Sequence, residues 1–353
     1  MKKTQLALAA VALVASSAAM ANGVTIYGIA DVGIASTSGK TGFYGDGNNG
    51  TTLIGIRGSE DLGGGLTAGF NLESGLNYNA GATGANGGGN GNLFNRAANV
   101  SLSTENLGLT LGNQFANDVL ATFVYGATAV GGDGVNVPAM VRLFGGIPGA
   151  VAQTSGGLNL ADGTSPITAN NTIFFVPEAA QLSFSVAGLK GNVMTRGTQK
   201  SATESTYNAA TLGGSFGGVN AAIGHKSAGF DASSDNHRTT FVAANTSFGD
   251  IRINGAYANN SGLVSGSTYV VGASMPLVAG ISAGLTYAKG ISGQGNMTAG
   301  SLQYDLSKRT LGYLNYASFS EAGGGSGTVA LTGNTGFAVT GKSLLTVGIK
   351  HSF

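Results

Sequence analysis

Few of the 353 residues carry groups that make or break bonds, and those few are scattered. The histidines are His225, His237 and His351, and none stands at a metal-ligand spacing with a partner. Cysteine is absent, which removes thiolate nucleophiles, thiolate zinc sites and disulfides together. A serine–histidine pair for hydrolysis would have to be assembled from residues far apart in the chain. The run Gly87-Gly88-Gly89 lacks the following helix that phosphate binding requires. What remains is a set of isolated charges, among them Asp31, Arg57, Glu73, Arg96 and Asp118. Such groups shape an electric field. They do not form a catalytic cluster, and no cofactor or metal is expected.

The composition narrows the elements that can position them. Charged residues make up 9% of the chain, against about 25% in an average soluble domain. Glycine numbers 62 and proline 5, while apolar residues reach 42%. So much glycine argues against a helical protein, since each interior glycine costs a helix about 0.8–1 kcal/mol. The apolar content argues against disorder, and a net charge of +1 gives no reason to expect a nucleic-acid partner.

The amino terminus reads as an export signal. Lys2 and Lys3 precede the apolar run from Leu6 to Ala15, and Ala19-Met20-Ala21 forms a small-x-small cleavage site. The expected division is a cleaved signal peptide at 1–21 and one domain at 22–353. The apolar run is too short to span about 30 Å of hydrocarbon, and no later stretch approaches a membrane helix.

Beyond that point the pattern has period two. Leu66, Ala68, Phe70 and Leu72 alternate with Thr67, Gly69, Asn71 and Glu73, and residues 251–257, 281–287 and 345–353 behave alike. Strands are expected near 23–35, 51–59, 65–77, 95–103, 107–114, 170–176, 181–189, 206–214, 218–226, 237–248, 250–259, 267–275, 280–289, 296–306, 308–319 and 341–353. The connections alternate between long polar loops and tight turns, the longest loop being the third, at about 115–169. An even strand count with turns at one end and loops at the other is the plan of an outer-membrane barrel. The expected fold is therefore all-β, a 16-stranded antiparallel transmembrane β-barrel. A soluble sandwich has no reason to sort its loops this way. A Gly/Asn-rich secreted adhesin or β-solenoid would show a short internal repeat, and none is found. A barrel enzyme is the third class. Low charge follows from the barrel, because a Lys or Arg at mid-depth on the lipid face costs about 2–4 kcal/mol.

Several segments resemble the trimeric Gram-negative porins, in particular the beta-proteobacterial general porins. Val24-Thr25-Ile26-Tyr27-Gly28-Ile29-Ala30-Asp31-Val32-Gly33 is similar to their opening V-T-L-Y-G-x-x-D-x-G strand. Gly55-Ile56-Arg57-Gly58-Ser59-Glu60-Asp61-Leu62-Gly63 resembles G-F-K-G-x-E-D-L-G, and Leu93-Phe94-Asn95-Arg96-Ala97-Ala98 resembles L-F-x-R-x-A. Asn171-Thr172-Ile173-Phe174-Phe175-Val176-Pro177, Ser307-Lys308-Arg309-Thr310 and the ending Gly348-Ile349-Lys350-His351-Ser352-Phe353 also match, in order along the chain.

The resemblance implies a homotrimer of barrels in the outer membrane, each with its third loop folded inward, passing ions and small hydrophilic solutes. It also implies Phe353 as the end read by the outer-membrane insertion machinery, although a terminal aromatic also simply closes a barrel. In the family, wall arginines oppose acids on the third loop. Here Leu53, Asn113 and Thr168 stand where arginines are usual, so a weakly charged constriction is expected. Arg57 and Arg96 remain, and parity places Arg57 opposite Ile54 and Ile56, toward the lumen. Glu73 is expected to line the pore or to anchor its wall. Asp118 is expected either to face Arg57 or Arg96 or to cap a turn, and Asp31 to line the lumen or serve as a wall partner. The apolar segment Val137–Pro148 is expected to pack into the lumen and lower conductance, or else to cover the wall or a subunit contact.

Overall fold

The computed structural model describes residues 21–37, 40–45, 49–78, 82–83, 93–126, 139, 143–144, 175–196, 206–229, 236–262, 265–291, 295–320, 329–330, 338–339 and 342–353. Sixteen antiparallel strands close into one barrel. They are β1 (Ala21–Thr37), β2 (Leu53–Gly63), β3 (Leu66–Asn77), β4 (Ala97–Ser103), β5 (Leu107–Phe115), β6 (Phe175–Val186), β7 (Leu189–Arg196) and β8 (Thr206–Phe216). There follow β9 (Val219–Gly229), β10 (His237–Phe248), β11 (Ile251–Ser261), β12 (Gly266–Val278), β13 (Ile281–Lys289), β14 (Asn296–Asp305), β15 (Thr310–Phe319) and β16 (Ser343–Ser352). The third loop contributes the helix α1 (Asn117–Tyr125).

Each strand pairs with its neighbours in sequence, and β16 pairs with both β15 and β1, which removes the sheet edge. The terminal residue completes the seam: Gly28 and Phe353 exchange both backbone hydrogen bonds at 3.1 Å. The Phe353 ring lies against Gly28, where any β-carbon would collide with it. Asp31 fastens the same seam from inside. Its fully buried carboxylate accepts from the backbone N–H of Asn49 at 2.5 Å and of Gly50 at 2.7 Å, and from the Tyr313 hydroxyl at 2.6 Å. Of its two expected roles, the structure gives Asp31 that of a wall partner.

The register sorts the side chains. Leu212, Ile223, Val242 and Tyr257 occupy one paired row across β8–β11 and are all exposed. The next row, Thr211, Gly224, Phe241 and Ala258, faces inward, with Thr211, Phe241 and Ala258 buried. Apolar side chains on the outside are the signature of a barrel whose solvent is lipid.

One expected strand pair is displaced. Strands at 170–176 and 181–189 and a loop at 190–205 give way to β6 and β7, joined at Ala187-Gly188. Residues 170–174 lie outside those described. Pro177 reads as a strand end, yet β6 runs through it, because the β5–β6 ladder shifts register between Gly112 and Gln114 and tolerates the missing donor. The turn is a two-residue hairpin with positive φ at both positions, 51° at Ala187 and 80° at Gly188, as a type I′ turn demands. Gly217-Gly218 does the same for β8–β9 with the usual residues.

Ala187 is the strained member, since a left-handed conformation costs an L-residue about 1–2 kcal/mol. Ala187→Gly is expected to stabilise the barrel by roughly 1 kcal/mol and Gly188→Val to destabilise it by at least that much. Denaturant unfolding in detergent micelles, followed by far-ultraviolet circular dichroism, measures both.

Candidate functional site

Two charged arrangements face each other across the interior, one on β1–β4 and one under the third loop. On the first wall, Arg57 pairs with Thr25 and Asn71, and Glu73 with Gly55 and Ala97, all on the inner face. The Tyr27 hydroxyl lies 2.6 Å from Glu73 Oε1 and 2.7 Å from the Asn71 amide oxygen. Arg57 stacks over the Tyr27 ring at 4.8 Å, and Arg96 Nε sits 3.4 Å from Glu73 Oε2. Glu73 therefore anchors the wall while reaching the interior. Buried Arg96 offsets its charge, and exposed Arg57 is the cation this wall presents.

Leu53 is also on the inner face, paired with Ile29 and Gly75, and is buried. Asn113 follows Gly112, which takes φ +121° at the register shift. Its amide is turned onto the Asn95 carbonyl at 3.3 Å, and its own carbonyl accepts from Asn99 Nδ2 at 2.9 Å. Thr168 lies outside the described residues.

Asp118 goes elsewhere. The sequence points it toward Arg57 or Arg96 or to a turn cap; the structure has it fully buried on α1 and bound to the opposite wall. Its Oδ2 lies 3.0 Å from Lys226 Nζ on β9, and the Tyr207 hydroxyl on β8 donates to Oδ1 at 2.5 Å. The reason is register. Ala222, Gly224, Lys226 and Ala228 form the inward row of β9, so Lys226 is a lone cation among small residues with the helix seated over it.

The neighbours of the pair complete a latch. The Asn117 amide donates to Asn192 Oδ1 at 2.5 Å and to the Ala209 carbonyl at 3.2 Å. Asn245 Nδ2 lies 3.2 Å from the Val124 carbonyl and 2.9 Å from that of Tyr125, and Asn254 donates to that of Gly126 at 2.9 Å. These amides satisfy carbonyls that a helix end otherwise leaves orphaned. Further along the loop, Phe144 is buried against Phe241 and carries Lys226 Nζ 4.3 Å from its ring centroid. The Leu143 carbonyl accepts from Asn260 at 3.1 Å and Thr268 at 2.5 Å. The described part of the apolar segment thus lies inside the barrel, against β9–β12.

The Gram-negative porin family matches residues 7–324. The chain belongs to that family. Outer membrane porin protein 32 of Delftia acidovorans is 44% identical over 109 residues, covering 29% of each chain. An outer membrane porin protein of Bordetella pertussis is 37% identical over 134 residues, covering 32% of this chain and 34% of that one. The matches thus span about a third of the curated relatives' length. The solved anion-selective porin from Comamonas acidovorans superposes with a TM-score of 0.68 at 21% identity, over 94% of this porin and 99% of that chain. This porin is an outer-membrane β-barrel.

No motif or spacing in the sequence singles out Tyr207. The inward parity of β9 and the isolation of one lysine among alanines and glycine is the signal that marks Lys226. Removing one partner of a buried ion pair costs about 3–5 kcal/mol, whereas replacing both by apolar groups is often nearly neutral. Asp118→Asn is expected to accelerate hydrogen exchange of the Asn117–Tyr125 amides, and Asp118→Asn with Lys226→Met to restore most of the protection. Mass-spectrometric exchange in micelles reads both.

Proposed function

We propose that this porin is a passive diffusion channel for ions and small hydrophilic solutes, with a weakly charged constriction. The observation that carries this reading is the latch: the third loop is fastened inside a closed barrel and faces a wall whose exposed cation is Arg57. Transport by such a pore breaks no bond, so width and field are its only means of selection. With Glu73 offset by Arg96, and with Leu53 and Asn113 where the family has arginines, the field at the constriction is shallow. The apolar loop segment narrows the path and lowers unit conductance below that of arginine-lined relatives.

The remaining assignments rest on the family resemblance. Residues 1–21 are removed on export, the mature chain assembles as a homotrimer in contact with outer-membrane lipid, and Phe353 is the end engaged by the insertion machinery. The exposed ring of Phe353 on the outer face of the seam supports a role that a buried residue could not serve.

Single-channel recording in planar bilayers tests the reading. Arg57→Gln is expected to move the KCl reversal potential toward cation preference, changing the permeability ratio roughly twofold at low salt and less at high salt. Asn113→Arg is expected to move it toward anions. An unchanged reversal potential in both variants removes these residues from the conducting path, and an absence of unit steps from the wild type removes the pore itself.

A further inference from the structure

Behind the third loop, at the end of the barrel that carries the short turns, lies a polar cleft of about 420 Å³. It is lined by Lys190 of β7, Asn220 of β9, Asn245 and Ser247 of β10, Arg252 of β11, and the last turn of α1. The register turns all of them inward: Lys190 pairs with Gly213, which pairs with Ala222 of the inner row, and Arg252 pairs with Ser247, two residues from the inward Asn245–Asn254 pair. Among the described residues, no carboxylate lines the cleft.

The hydrogen bonds there run in one direction. Ser215 donates to Asn220 Oδ1, Asn220 Nδ2 donates to Asn245 Oδ1 at 3.0 Å, and Asn245 donates to the helix-end carbonyls. Asn254 donates to the Gly126 carbonyl. The amide oxygens on the cleft lining are thus taken, that of Asn220 by a hydroxyl and that of Asn245 by an amide, while Asn254 Oδ1, outside the lining, has no partner among the described residues. Lys190 and Arg252 have no hydrogen-bond or ion-pair partner among the described residues, and Arg252 Nε is a buried donor with no acceptor. A buried donor left unsatisfied is costly, and a charged acceptor supplied by a ligand offsets that cost.

We infer that this cleft binds a small oxyanion, a carboxylate, phosphate or sulfate group held between Lys190 and Arg252. The chemistry is that of an acceptor-only ligand meeting a surplus of donors, with the fork of the guanidinium and the point charge of the ammonium converging on it. The site rests on the pore reading for its meaning. It lies off the apolar constriction, on the turn side that faces the periplasm in barrels of this kind, where an anion that has passed the loop would be held before release.

Inorganic sulfate is the probe, because its charge does not titrate near neutrality. Calorimetric titration of the full protein in detergent is expected to give saturable binding, weakened about tenfold or more in K190Q/R252Q and less in R252K. The exposed turn variant K308Q is expected to match the wild type. Lys190→Gln alone, at an exposed position, carries the test should the double variant fail to fold. In planar bilayers, sulfate added on the turn side is expected to reduce unit conductance in KCl, and K190Q/R252Q to lose that block. No binding to the wild type, or equal binding to wild type and variants, overturns the site. A protein that binds sulfate in micelles but gives no unit steps keeps the site and overturns the pore.

Discussion

A chain that crosses hydrocarbon must satisfy every backbone N–H and C=O internally, and strands do so only when the sheet closes on itself. In this porin that requirement converges on one seam. The β1–β16 ladder, the reciprocal Gly28–Phe353 bonds and the buried Asp31 knot together replace what would be two open edges. Closure also fixes side-chain parity all the way round, because each register constrains the next. Once Asp31 and Tyr313 point inward, the faces of Arg57, Glu73, Lys226 and Arg252 follow without separate instruction. The distribution of charge in the interior is in this sense a consequence of how the ends of the chain meet.

The interior is divided rather than uniform. On β1–β4 the charged groups lean on one another along the wall, Arg57 on Tyr27, Tyr27 on Glu73 and Glu73 on Arg96. On β8–β12 the inward positions are mostly small or amide-bearing, and the third loop fills the space they leave. Ala209, Ala243, Ala256 and Ala258 are buried there with Val119, Leu143 and Phe144. Small residues on the inner wall are what allow a helix to lie inside the barrel. The ion pair beneath it holds position at a desolvation cost that two apolar residues would avoid. Its value lies in specifying where the helix sits, because Lys226 is the inward lysine placed to meet Asp118.

Much of the architecture was legible because it is local. Period-two alternation, turn composition and the sorting of long and short connections are properties of neighbouring residues, and they place fourteen of the sixteen strands close to where they lie. The exceptions are instructive. Pro177 signals a strand end by its own chemistry, and only the bulge that places Pro177 and Glu178 opposite Asn113 explains why β6 continues. Ala187-Gly188 hides a type I′ turn because alanine is a poor left-handed residue. The partners of Asp118 lie about ninety and about a hundred residues away, at Tyr207 and Lys226, and no spacing rule reaches that far. The wall side of the site was readable from parity, as Arg57 and Glu73 show; the loop side depended on docking.

The same distinction bears on how the pore discriminates. A field made by exposed side chains such as Arg57 is screened within about 8–10 Å at ordinary ionic strength. A buried pair such as Asp118–Lys226 is screened far less, but its opposite charges largely cancel at a distance. Neither wall therefore projects a strong field along the axis. Short-range contact adds to the weak preference that Arg57 sets, where a dehydrated ion meets donors that lack acceptors. Among the described residues, Arg252 and Lys190 are two such donors, and they lie beyond the loop. Selection in this porin is then expected to act in two places, through width and the field of Arg57 at the third loop and through contact with Lys190 and Arg252 behind it.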